Sequence, residues 1–142
     1  MKKRVKKLWI KALDDSEIDG KPVAQAIERL RDANSKVDGQ KVKNLCCLGV
    51  LCELAVIEGV IPKAVHGPWG DDFEYDGADV ELPLAVQEWA GLASGNPIVP
   101  FKYGSNVVEV KGERAMAAHL SELNDEHDHD FKKIAKKIKK YL

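Results

Sequence analysis

The pattern of apolar and polar positions marks out a series of helices around one segment that is apolar on nearly every face. Residues 2–13 set Val5, Leu8, Trp9, Ala12 and Leu13 at spacings of three and four, which predicts an amphipathic helix. Asp14, Asp15, Ser16 and Gly20 break it. Residues 22–30 predict a second short helix, with Pro22 at its first position and Val23, Ala26, Ile27 and Leu30 inward. Residues 31–44 are polar and weakly patterned and read as a loop. Residues 45–57, LCCLGVLCELAVI, read as a helix surrounded by other elements, capped by Asn44 and ended by Gly59 ahead of Pro62.

The second half continues in the same manner. Residues 73–75 and 79–82 alternate in character around Asp76-Gly77, a short-range hairpin signal. Pro83 opens a helix carrying Leu84, Val86, Trp89 and Ala90, with Gly91 as its C-terminal cap. Residues 94–103 form a loop punctuated by Asn96-Pro97 and Pro100, and 107–110 a short strand. Residues 113–123 predict a helix with Ala115, Met116, His119, Leu120 and Leu123 on one face, and Asn124 suits the left-handed position ending it. A last helix carries Phe131, Ile134, Ala135, Ile138 and Leu142, with Asp130 or Asp128 as its cap. The expectation is α+β: a mostly helical single domain over 1–142, about five helices around a buried central helix, with one small β-hairpin.

Composition narrows the class more than the activity. The chain has 142 residues, 44% apolar and 32% charged, which suits one core of ordinary size. No apolar run approaches the ~20 residues that span a bilayer, and no secretory leader is visible, so a cytoplasmic location in the cell that makes it is expected and no membrane partner. Three clustered cysteines, Cys46, Cys47 and Cys52, suit a reducing compartment. The net charge is −1, yet residues 2–7 and 132–140 together hold half of all Lys and Arg. If the termini meet in space they form a basic patch that can seat phosphate, although lysine runs most often only keep a helix solvated. No continuous basic face supports duplex nucleic-acid binding.

Three groups of residues carry candidate chemistry. A thiol in a helix's first turn meets unpaired N–H groups and the positive dipole end, so Cys46 or Cys47 could act as a nucleophile. His66 or His119 would then be the base and Asp125 the orienting group. The plainer account of all three cysteines is core packing. His127-Asp128-His129-Asp130, with His119 nearby, offers the donors of a Zn²⁺ or Ni²⁺ site, but turn and cap chemistry explains them as well. No metal and no cofactor is expected. Trp9 and Trp89 lie on apolar stripes, whereas Trp69, between Gly67-Pro68 and Gly70, is placed to stack on a base.

Four elements occur in order: Cys46-Cys47-Leu48-Gly49-Val50-Leu51-Cys52; Leu82-Pro83 with Val86, Trp89 and Gly91-Leu92; Asn96-Pro97; and Leu123-Asn124-Asp125 followed by Phe131, Ile134 and Ala135. In these the chain resembles an uncharacterised, widespread family of small hypothetical proteins of tailed phages and prophages. It is more loosely similar to uncharacterised actinobacterial proteins that pair a Cys-x-x-Gly helix with a shorter Asn-Asp turn. The resemblance implies a phage accessory protein and no particular activity. By analogy with phage proteins that counter host defence, it implies a sponge that binds a nucleotide immune signal without turnover. Trp69, Asn96, Lys102 and Arg114, or the terminal lysines, would supply its ring, amide and phosphate contacts, and Asn124-Asp125 a ribose contact. Such sponges are often homo-oligomers. The alternatives are a cysteine-dependent hydrolase or transferase, and a protein that inhibits a host defence factor through its surface.

Overall fold

A computed structural model describes residues 1–68 and 72–142. Helix α1 (Lys3–Asp15) leads into β1 (Glu17–Ile18), β2 (Lys21–Gln25), β3 (Arg31–Val37) and β4 (Gln40–Leu45). Helix α2 (Cys47–Ile57) follows, then β5 (Val65–His66), β6 (Phe73–Glu74) and α3 (Leu84–Ala90). The chain continues through β7 (Ile98–Pro100), β8 (Asn106–Val110) and β9 (Glu113–His119) to α4 (Leu120–Asp125) and α5 (Phe131–Tyr141). The strands form three sheets, ordered β1-β2-β4-β3, β5-β6 and β7-β9-β8. All pairs are antiparallel except β2 with β4, which run parallel.

The fold is therefore α+β but not mostly helical. Helix accounts for 35% and strand for 29%, so the sheets are nearly as large a part of it as the helices. Three of the predicted elements are overturned. Residues 22–30 run as β2 and an irregular crossing, because Asp19-Gly20 turns the chain back and pairs Glu17 with Pro22. Residues 31–44 are the β3–β4 hairpin about Asp38-Gly39, and residues 113–119 are a strand that becomes helix only at Leu120.

The physical reason lies in the turns. Asp19-Gly20, Asp38-Gly39, Asp76-Gly77 and Lys111-Gly112 all have positive φ at both residues, between 50° and 81°. That is the requirement of the primed two-residue turn whose twist matches antiparallel strands. Each joins a directly paired couple: Ile18 with Lys21, Val37 with Gln40, Tyr75 with Ala78, and Val110 with Glu113. Strand β9 is rich in Ala, Glu and Arg, residues that favour helix in isolation. Two pairing neighbours, β7 and β8, override that preference. The hairpin predicted over 73–82 forms at its tip as the Tyr75–Ala78 bridge, while Phe73 and Glu74 pair with β5 instead.

Helix α2 is the centre of the core. Cys47, Leu48, Gly49, Val50, Leu51, Cys52 and Ala55 are all buried, among Trp9 and Leu13 of α1, Val86 of α3, Leu120 and Leu123 of α4, and Ile134 and Ile138 of α5. The Trp9 indole donates to the Cys47 carbonyl at 2.9 Å, so its one polar atom is satisfied inside the core. The first turn of α2 presses on the backbone that enters β3: the Cys46 amide donates to the Leu30 carbonyl at 3.2 Å. A Cβ on Gly49 would lie 1.9 Å from that carbonyl oxygen, so glycine is required by space. Helices α1 and α5 pack side by side, which makes the two basic segments neighbours. No helix among the described residues is long and apolar enough to cross a membrane.

Gly49→Ala is expected to destabilise the protein by about 3 kcal/mol, the upper end of overpacking costs. Thermal or urea unfolding checks it; an unchanged midpoint would contradict the close approach of α2 to Leu30.

Candidate functional site

Two polar arrangements interrupt the apolar interior, and a third lies at the surface. The first is built on two buried asparagines. Asn96, ahead of β7, accepts from the Ser121 amide at 3.3 Å and donates to the Ser121 hydroxyl at 2.7 Å, which caps α4. Its carbonyl lies 2.8 Å from Nδ1 of His119. Asn124, inside α4, fills all its hydrogen-bonding positions within the chain. Its oxygen accepts from Gln25 Nε2 at 2.9 Å and the Cys47 amide at 3.2 Å. Its nitrogen donates to the Ala26 carbonyl at 2.8 Å and to Asp125 at 2.7 Å. The residue with left-handed backbone in this region is Asp128 (φ 50°), not Asn124.

The start of α2 is consequently closed. Cys46 is its N-cap, with Sγ accepting from the Gly49 amide at 3.4 Å, and Asn124 meets the Cys47 amide. Asn44, expected as the cap, instead donates from β4 to Ala33 and Ser35. Burial above all, with a smaller contribution from the nearby Asp125 carboxylate, pushes the Cys46 thiol from its ordinary 9.0 up to about 12. Cys47 and Cys52 are pushed well above the ordinary value, chiefly by burial as well. The Cys47 thiol donates to the Leu120 carbonyl at 3.7 Å, and among the described residues no histidine bonds to either thiol of the pair. Desolvation here outweighs the helix dipole that would favour a thiolate.

The second arrangement surrounds Glu53, a carboxylate buried on α2. It accepts from Tyr75 Oη, from Lys43 Nζ at 2.7 Å and from Arg31 at 3.5 Å. The Arg31 guanidinium lies 4.1 Å from the centre of the Phe73 ring, which in turn packs on His66 at 4.5 Å. Burial and the adjacent carboxylate together hold the Tyr75 hydroxyl far above its ordinary pKa. This network joins α2 to β3, β4 and the Tyr75 turn, and a lone acid in an otherwise apolar helix is the sequence signal that foretells it. Arg29 pairs with Asp72 close by.

The third lies at the surface, between α5 and the β7-β9-β8 sheet. A cavity of about 510 Å³ is lined by Phe101, Lys102, Met116, Lys137 and Tyr141, among others. A second, of about 290 Å³, adjoins it through Lys137 and Tyr141 and adds Lys133, Lys136, Lys140 and His129. Lys137 Nζ donates to the Pro100 carbonyl at 2.9 Å and sits 5.4 Å from the Phe101 ring centre. Gly104 lets the loop beneath close on β9, since a Cβ there would lie 1.8 Å from the Ala117 carbonyl.

Of the residues singled out from the sequence, Lys102 lies in this groove. Asn96, Asn124 and Asp125 lie at the helix starts. Arg114 is exposed on β9, opposite Glu109 of β8. His66 is in the Glu53 region, and Trp69 falls outside the described residues. The structure brings Cys46, Cys47, Asn124 and Asp125 together, but His119 is held by Asn96. Lys137 belongs to the C-terminal lysine run offered as a phosphate seat, whereas Phe101, in what reads as loop, and Tyr141, at the end of a solvated helix, carry no such signal.

The arrangement is that of a small α+β protein with a closed core and an open, lysine-lined groove. The chain belongs to an uncharacterised family, the domain of unknown function DUF8296, which it matches over residues 1–142. No curated protein and no solved structure matches it.

The thiols give a direct check on the closed core. Native protein at pH 8 should leave Cys46, Cys47 and Cys52 unreactive toward a disulfide reagent, with all three reacting on unfolding. Because the folded thiol pKa values lie above the unfolded ones, their contribution to stability is complete below about pH 9 and declines as pH rises toward 12. Fast labelling of the native state would contradict the burial.

Proposed function

We propose that the protein binds, without turning over, a phosphorylated molecule bearing an aromatic ring, a nucleotide above all, in the groove between α5 and the β7-β9-β8 sheet. The observation that carries this reading is the meeting of two cavities at Lys137 and Tyr141. Lysine ammonium groups answer phosphate as point charges, and the Phe101 and Tyr141 rings offer faces for a base. Helix α1 beside α5 adds Lys3, Arg4 and Lys7 along another open cavity, and the shared positive field draws anions toward this side. Binding without thiol chemistry is supported by the three buried, strongly protonated cysteines, none of which lines the groove.

On a phage origin, the ligand would be a nucleotide immune signal that the protein withdraws from its host receptor. A second reading, inhibition of a host factor through a protein surface, is favoured by the exposed Val107 and Met116 on the same sheet and Tyr103 in the loop between β7 and β8.

Calorimetric titration with mononucleotides and cyclic dinucleotides tests the proposal. One class should bind, weaken as salt rises, and be recovered chemically intact after heat release. Lys137→Glu and Tyr141→Ala should each weaken it tenfold or more, while circular dichroism stays unchanged. Absence of binding by every nucleotide, or binding indifferent to both substitutions, would overturn the groove and favour the protein-surface reading.

A further inference from the structure

The end of α4 and the turn after it bring together a donor set that shares only His127 with the sequence's HDHD string. Glu122, Glu126 and His127 each present one ligand atom, and these atoms all lie within 4.8 Å of one another. Nε2 of His127 is 3.2 Å from Glu122 Oε1, close to the separation of two donors bound at about 2.0–2.2 Å around one tetrahedral or octahedral ion. Positions i, i+4 and i+5 account for the convergence: Glu126 lies one turn beyond Glu122, and the chain leaves the helix at His127.

The pair at the heart of the set is held before any ion arrives. Glu122 and His127 side chains are only 14% and 25% exposed. The second oxygen of Glu122 accepts from Ser105 Oγ at 3.3 Å, and Phe101 packs against the His127 ring at 4.8 Å. Glu122 and His127 are thus each oriented by a neighbour outside the set, as metal ligands are, while Glu126 is exposed. Among the described residues, Glu122 pairs with no Lys or Arg, and Glu126 is in no ion pair. Two carboxylates and one imidazole converge here, with Glu122 and His127 half-buried and in contact with one another and Glu126 exposed and in no ion pair among the described residues.

We propose that Glu122, Glu126 and His127 form a binding site for a divalent transition metal of borderline hardness, with Zn²⁺ as the fitting occupant. One nitrogen and two carboxylate oxygens suit Zn²⁺ or Mn²⁺ better than Ca²⁺, which takes more oxygen donors, or Cu(I), which takes sulfur. Three protein ligands leave a coordination position to water. The site does not rest on the nucleotide reading.

Calorimetry on tag-free, chelator-stripped protein with Zn²⁺ alone is the test. One equivalent should bind and raise the melting temperature. Glu126→Gln, on an exposed side chain that leaves folding untouched, should weaken binding at least tenfold, and Glu122→Gln and His127→Asn by more. Asp128→Asn and His129→Gln should leave it unchanged. Lack of stoichiometric binding would overturn the site, as would binding that survives Glu126→Gln but is lost with Asp128→Asn and His129→Gln.

Discussion

The side-chain amide of Asn124 is the interaction on which the rest of the structure depends. From one short helix it reaches the carbonyl of Ala26 after β2, the amide of Cys47 at the start of α2, and Gln25. Gln25 in turn donates to the His129 carbonyl at 2.9 Å, on the approach to α5. A buried amide with both ends answered is worth little net, but one left unanswered costs about 1–3 kcal/mol per group. Asn96 performs the same service one step earlier by capping α4, the helix that carries Asn124. The two asparagines set the helices around α2 in a definite order.

This dependence also decides what the buried helix start can do. A helix N-terminus ordinarily offers free N–H groups to an anion. Here the Cys46 sulfur and the Asn124 oxygen occupy those donors, and the thiols are raised out of the thiolate range. The lysines of α5 stay on its outer face, while its inner face, Phe131, Ile134, Ala135 and Ile138, is fixed in the core.

Helices with strong periodicity or an unambiguous apolar run were legible: α1, α2, α3 and α5 all lie where spacing and Gly or Asp signals place them. Strands were not, because β3 is polar and β9 is composed of helix-favouring residues; pairing with neighbours, absent from local pattern, decides both. The Asp19-Gly20 and Asp38-Gly39 dipeptides carried that information and read only as breaks. At the candidate groove the difficulty is different. Lys102 stood out, but Phe101, Lys137 and Tyr141 converge from segments 36 or more positions apart, which no spacing rule joins. Asn96 stood out as a loop residue and candidate amide contact and Asn124 as a helix terminator and candidate ribose contact, whereas in the structure both satisfy backbone groups.

The central claim is that ligand chemistry lies at the α5 groove while the asparagine-bonded start of α2 is structural. Nuclear magnetic resonance of ¹⁵N-labelled protein titrated with the best-binding nucleotide separates the two directly. The account predicts shifts in the amides of Phe101, Lys102, Lys137 and Tyr141, with the Asn124 side-chain amide unmoved and slow to exchange with solvent. Shifts centred on Asn96, Asn124 and Asp125, with the groove silent, would contradict it.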